Sequence, residues 1–230
     1  MAIVKYGAKE VGTSNVSLLY GSRVWRARVD TVEPIANAVG TSAILSVNDV
    51  EFTGTIIEGD ENLGRGAYVI VGGKGAWRVR VSPTTLKSDG GIRLATALNH
   101  LLDALTLVST TGVETLVINE GDTVLGTSWA PIEASAAMLL DTLCSSWLVN
   151  RAGDTIINGT SSTIIDAANY AVMRYPLSRM FTLSPRKPSD ISDVFDAIGG
   201  FIEGDPFMSA QRIRSIRLVE TDVVRLEVSS

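Results

Sequence analysis

The sequence predicts an α+β chain that is mainly β: a barrel or sandwich with a small α/β part inserted into it. Three observations carry this. Short runs bounded by Gly, Asn or Asp turns, many alternating apolar with polar residues, fill the first ninety residues. A helical period replaces them between Ile92 and Val108. Two more strand-like runs close the chain, Gln211 to Glu220 and Val223 to Val228, joined across Thr221-Asp222. The expected division is a β-barrel-like part over 1–90, an inserted α/β part over 91–165, and a β-rich part over 166–230 that packs with the first.

The early strands pair off as hairpins. Asn15 to Tyr20, the turn Gly21-Ser22 and Arg23 to Val32 make the first. Thr41 to Val47, Asn48-Asp49 and Val50 to Ile57 make the second. Gly66 to Val71, the turn "GGKG" and Ala76 to Val81 are read as the third. Between the second and third, Glu58 to Gly66 is polar and is expected as an exposed linker.

The inserted part begins with a helix. Leu94, Leu98, Leu101, Leu102 and Leu105 fall on one helical face, and Ser88-Asp89-Gly90 offers candidate caps. Val113 to Ile118 reads as a strand. Pro131 fits a first helical position, opening a second helix with Ile132, Ala136, Leu139, Leu140, Leu143 and Trp147 inward. Trp147 to Val149, a turn at Asn150 to Gly153, and Thr155 to Ile157 form a short hairpin. Asp166 to Met180 fits either helix or strand. Ser184 to Asp190 is a proline-rich break, and a short glycine-ended helix follows it.

Composition narrows the chemistry. Of the 230 residues, 45% are hydrophobic and 20% charged, which supports a buried core. The net charge of −5 argues against a broad nucleic-acid surface, which needs a basic excess. No apolar run approaches a membrane span, and the opening "MAIVKYGAKE" shows no signal-peptide core. The sequon at Asn158-Gly-Thr therefore reads as a turn. One cysteine, Cys144, and one histidine, His100, exclude intrachain disulfides, cysteine clusters and multi-histidine metal sites. Cys144 lies in an apolar pattern and reads as a buried thiol. His100 lies near the apolar helix face and reads as a satisfied core or boundary histidine, which Asp103 could only orient. Phosphate loops, nucleophile elbows and zinc-protease motifs are absent. Ser184-x-x-Lys187 matches a catalytic spacing only formally, and Glu58 to Asn62 lacks the terminal bidentate Glu of a calcium loop. No catalytic residue, metal or cofactor is expected.

One echo stands out. "GSRVWRARV" at Gly21 returns as "GKGAWRVRV" at Gly73. As strands, these place Trp25, Ala27 and Val29 on one face and Arg26 and Arg28 on the other. The second copy places Trp77, Val79 and Val81 opposite Arg78 and Arg80. The four arginines meet solvent and nearby carboxylates, or else they face an acidic partner or a lumen; the sequence leaves both open.

The stretch "VEFTGTIIEGDENLGRGAYVIVGGKGAWRVRV", followed by the helix over Ile92 to Val108, resembles the first domain of phage tail baseplate hub proteins. "WAPIEASAAMLLDTLCSSWLVNRAGDTIING" is similar to a second marker of that family, a tryptophan-led segment entering a helix that runs to x-W-x-V and a turn. Trp129, Trp147 and Val149 fill those places, whereas "RAGDT" departs from the usual order of Gly and Asp. The likeness covers Val50 to Asn158. It implies tube-like β-barrel domains and a non-enzymatic virion component, made in the host cytoplasm. It implies a homotrimer ring with two tube-like domains per subunit, adapting a sixfold tail tube to a threefold tip or spike. Tail tube, distal tail or spike proteins would be its partners, and DNA would pass through the lumen without sequence-specific contact. The chain is short for such hubs, which implies a reduced or missing terminal domain. The alternative is a small-molecule-binding or hydrolytic β-domain with a cleft between the β and α/β parts.

Overall fold

A computed structural model describes residues 2–21, 23–118, 123–158, 164–174, 180–185, 189–198, 201–203, 211–220 and 223–229. Six strands open the chain: β1 (Ala2–Tyr6), β2 (Lys9–Gly21), β3 (Arg26–Thr31), β4 (Ser42–Val47), β5 (Val50–Asn62) and β6 (Arg65–Gly72). They pair in the order β1-β4-β5-β6-β3-β2, and β2 returns to β1, closing a barrel. The alternation seen in sequence decides which side chains enter it. Val16, Leu18 and Tyr20 of β2, Ala27 and Val29 of β3, and Leu45 and Phe52 of the second hairpin are buried. Trp25, just before β3, fills the space over Gly54 and Gly72, where an added Cβ would meet its ring at 2.8 and 2.5 Å. Burying each large apolar side chain contributes about 1.5–3 kcal/mol.

In the first predicted hairpin the two strands pair, but not around a two-residue turn: the last rung is Leu19–Arg26, and Gly21 belongs to β2, where it pairs with Ser215. Ser22 lies outside the described residues. The second hairpin forms as predicted. Asn48 and Asp49 both take positive φ, the geometry of a tight two-residue hairpin turn. The expected linker Glu58 to Gly66 differs: Glu58–Asn62 continues β5 and pairs with β6 around a tip at Leu63-Gly64. Both of its faces meet solvent, so no apolar alternation marked it as strand.

The third hairpin does not form. Ala76–Arg78 makes one 3-10 turn, and only β7 (Arg80–Val81) is extended. The cause lies forty residues on. The buried carboxylate of Glu114 accepts the backbone N–H groups of Lys74 and Ala76, each at 2.9 Å, and bends the chain away from β6. The expected alternation survives this bend: Trp77 and Val81 are buried, while Arg78 and Arg80 are exposed.

The middle of the chain follows as β8 (Leu86–Arg93), α1 (Leu94–Thr106), β9 (Leu116–Ile118), β10 (Val124–Trp129), β11 (Ala134–Ser135), α2 (Ala136–Leu143), β12 (Trp147–Val149) and β13 (Thr155–Ile157). The leucine face of α1 is buried as its spacing predicts, with Leu102 half-buried. Ser88-Asp89-Gly90 does not cap it; these residues lie in β8, which pairs with β10. The second helix starts later than Pro131 predicts. Ser135 Oγ accepts the Met138 N–H at 3.3 Å and sets the true start, after Ala134-Ser135 has paired with β7. Ile132 consequently lies outside the helix and is 78% exposed, contrary to the inward position expected.

The chain ends with β14 (Ile164–Asp166), β15 (Tyr170–Arg174), β16 (Met180–Pro185), α3 (Ser189–Asp196), β17 (Phe201–Glu203), β18 (Gln211–Glu220) and β19 (Val223–Ser229). The ambiguous stretch after Asp166 is a 3-10 turn and then strand. These six strands pair in the order β14-β17-β18-β19-β16-β15. Numbered one to six within each set, both sets read 1-4-5-6-3-2. β2 also pairs with β18 and joins both sets in one twelve-stranded sheet. α3 seals the first barrel: Phe195 lies 4.9 Å from Phe52 and 5.6 Å from Tyr20, ring centre to ring centre. The turn at Thr221-Asp222, the sequon's Gly159-Thr160 and Lys187 lie outside the described residues.

Candidate assembly surface

The barrel brings three of the four arginines of the echo toward one acidic strand. Arg26 and Arg28 project from β3 into a shallow groove shared with Glu58, Asp60 and Tyr68. Arg26 reaches Glu58 at 3.7 Å, and Arg78 reaches the same carboxylate at 3.5 Å from across the bend. Arg80 turns elsewhere, to Glu133 at 3.6 Å. The structure therefore gathers Arg26, Arg28 and Arg78 around Glu58 and leaves Arg80 apart. All these ion pairs are exposed, and such pairs are worth about 0–1 kcal/mol each. A second molecule can exchange them for its own charges at little cost.

Glu58, Asp60 and Glu61 do not form a cation cage. They lie along an extended strand, whose side chains alternate between two faces. Among the described residues, no cluster of three or more His, Cys, Asp or Glu is placed to hold a metal ion. His100 Nε2 bonds within Thr84, to its Oγ1 at 2.6 Å and its carbonyl at 3.0 Å, so the ring anchors α1 to the segment before β8. Cys144 is buried at the end of α2, and burial pushes its thiol pKa up to about 11. That thiol is held away from the thiolate form a nucleophile needs. Ser184 lies in β16 opposite Ala171. No helix among the described residues is long and apolar enough to cross a membrane.

One position that shapes this surface escaped sequence reasoning. Glu114 is 4% exposed, and burial raises its carboxyl pKa above the usual 4.5 despite the backbone N–H bonds that favour its charge. The only signal was an acid inside the apolar run "VETLVI". Its partners come from the glycine turn before Trp77: Gly73 has φ +68°, and a Cβ there would meet Glu114 Oε2 at 2.2 Å. Trp77 then packs at a tilt against Trp147, ring centres 5.7 Å apart, and its indole N–H donates to Thr155 Oγ1 at 2.8 Å. Glu114 thus fixes where the inserted part leaves the barrel, and with it the position of Arg78.

The architecture is similar to that of solved tail proteins. Prophage MuSo2 43 kDa tail protein from Shewanella oneidensis superposes with a TM-score of 0.69 at 10% identity, over 99% of this chain and 97% of that one. The fold is that of phage tail proteins. A tail protein from Neisseria meningitidis MC58 matches at 0.65 and 10% identity, over 100% and 96% of the two chains. The Escherichia coli c3393 protein, described as a component of the type VI secretion system similar to bacteriophage T4 tail proteins gp27 and gp5, matches at 0.59 and 8% identity. That match covers 98% of this chain and 76% of the other. No protein-family model and no curated protein matches the sequence. The fold is thus shared with proteins that are only 8–10% identical in sequence.

Proposed function

We propose that this chain is a structural subunit of a phage-type tail, a hub that joins a sixfold tube to a threefold tip. The observation that carries the reading is the repeated strand order. One chain holds two six-stranded sets with the order 1-4-5-6-3-2, joined edge to edge through β2 and β18. Three such chains present six similar units, which is the match a threefold component needs beneath a sixfold tube. The tail-protein fold over nearly the whole chain supports the same role. The work done is assembly, so the subunit turns over no substrate. Its partners are further copies of itself, the tail tube, and distal or spike proteins of the virion tail. Arg26, Arg28, Arg78 and Arg80 serve this assembly as exchangeable surface charges, at a subunit contact or along the lumen.

Size-exclusion chromatography with light scattering tests this. A trimer is expected, and low-resolution images should show a ring with six lobes. A monomer at every concentration up to the solubility limit overturns the reading.

A further inference from the structure

The junction inside the chain predicts the junction between chains. β18 offers one edge to two strands in succession. β17 pairs with it at Gln211–Arg212, and β2 takes over the same run at Ser215–Leu218. β19 covers its other edge. The corresponding strand of the first set is β5. β6 covers one edge of it, while β4 covers the other only from Val50 to Thr55. The loop bond from Gly40 N–H to the Ile56 carbonyl extends that cover by one residue. Beyond it, no described strand pairs with the outer edge of Gly59–Asn62. A cleft of about 450 Å³ runs beside that edge, lined by Asn37–Val39, Gly59, Asp60 and Glu61.

The strand that corresponds to β2 is β15. Among the described pairings of Ala171–Arg174, only β16 appears. We infer that β15 of one copy adds to the outer edge of β5 in a second copy, repeating the β2–β18 contact from chain to chain. This rests on the ring assembly proposed above and names its interface.

Ladder rungs counted from the turns give the register. Arg217 and Leu218 of β18 occupy the places of Asp60 and Glu61 in β5. Leu19 and Leu18 of β2 occupy the places of Arg174 and Met173 in β15. Within the chain, Arg217 lies opposite Leu19 and Leu218 opposite Leu18. Between chains, Asp60 therefore falls opposite Arg174, and Glu61 opposite Met173. The charges agree with this choice. An edge carrying Glu58, Asp60 and Glu61 repels a second copy of itself, since like charges opposite one another destabilise a sheet. It accepts a strand carrying arginine. The contact is therefore heterologous, head to tail, and its repetition closes a ring.

Paired cysteines test the interface in the full chain. In a Cys144→Ser background, Asp60→Cys with Arg174→Cys is expected to give covalent dimers and trimers on oxidation. Each single-cysteine protein alone should stay uncoupled at this site, and mixing the two should give dimers only. Glu61→Cys with Met173→Cys provides a second pair should the first variant fold poorly. Light scattering on the unmodified protein runs beside them. An oligomer in which neither pair couples overturns this interface and leaves the ring standing. A monomer throughout overturns both. As a charge test, Asp60→Arg should weaken self-association at least tenfold, and adding Arg174→Asp should restore it; failure of that rescue also counts against the register.

Discussion

The two six-stranded sets share a strand order and, among the described residues, differ in closure. In the first, a tight turn at Gly7 folds β2 back along β1, and that pairing shuts the barrel. In the second, β14 passes through the Ala167–Asn169 turn into β15, and β14 lies parallel to β17 where β1 lies antiparallel to β4. No β14–β15 pairing is present among the described residues. The difference teaches how one topology serves two ends. The first set buries an aromatic centre of Trp25, Phe52 and Tyr20, while the second supplies β18, which pairs with β2 of the first, and β15, the strand proposed above to pair with β5 of a second copy.

The strongest test of this contrast removes the centre of the closed set. Trp25→Ala empties a fully buried site and leaves the Asn150 carbonyl without its indole donor at 3.2 Å. A loss of about 3–5 kcal/mol is expected in chemical denaturation. If the barrel tolerates it with under about 1 kcal/mol lost, closure is not what organises the chain.

Next comes the exit from the barrel. Glu114→Gln replaces one of two accepting oxygens with a donor facing a backbone N–H, at a cost of about 1–3 kcal/mol. The pH dependence has a definite sign. Because burial raises the folded-state pKa, the folded chain holds this proton more tightly than the unfolded one. That contribution is fully present below the ordinary value of 4.5 and is lost as pH rises through the folded pKa. Thermal melts at stepped pH should show this decline in the parent protein and not in Glu114→Gln.

A smaller effect is expected at the closing turn. Gly7→Ala meets no atom within 4 Å, but its φ of +56° is left-handed. A cost of about 1–2 kcal/mol follows from backbone strain alone, read as a shift in denaturation midpoint. An unchanged midpoint would mean the β1–β2 turn does not need glycine. The smallest effect belongs to the arginine groove. Arg78→Ala with Arg80→Ala should change stability by under about 1 kcal/mol and weaken self-association measured by light scattering. Unfolding instead would place these arginines among the structural pairs.

Much of the fold was legible because local rules and tertiary structure agreed. The Asn48-Asp49 turn, the leucine face of α1 and the Trp147 to Ile157 hairpin follow from turn chemistry and period alone. Errors arose where a distant residue overrode a local signal. Glu114 diverted the predicted third hairpin, and the β7–β11 pairing with its Ser135 cap moved the start of α2. The polar half of β5 was invisible, since a strand exposed on both faces carries no alternation.

The sequence by itself determined the mainly-β class, the amphipathic inserted helix, the exclusion of intrachain disulfides and multi-histidine metal sites, and the apolar and arginine faces of the Trp-Arg-x-Arg-Val echo. Only the tertiary structure decided what repeats. The visible echo pairs β3 with the segment after β6, positions that do not correspond in the two sets. The real repetition is one of strand order, and the visible echo in residue identity does not follow it. The physical reason is that strand pairing is made by backbone groups common to every residue, while side chains need only alternate. Sequence can diverge while pairing order persists.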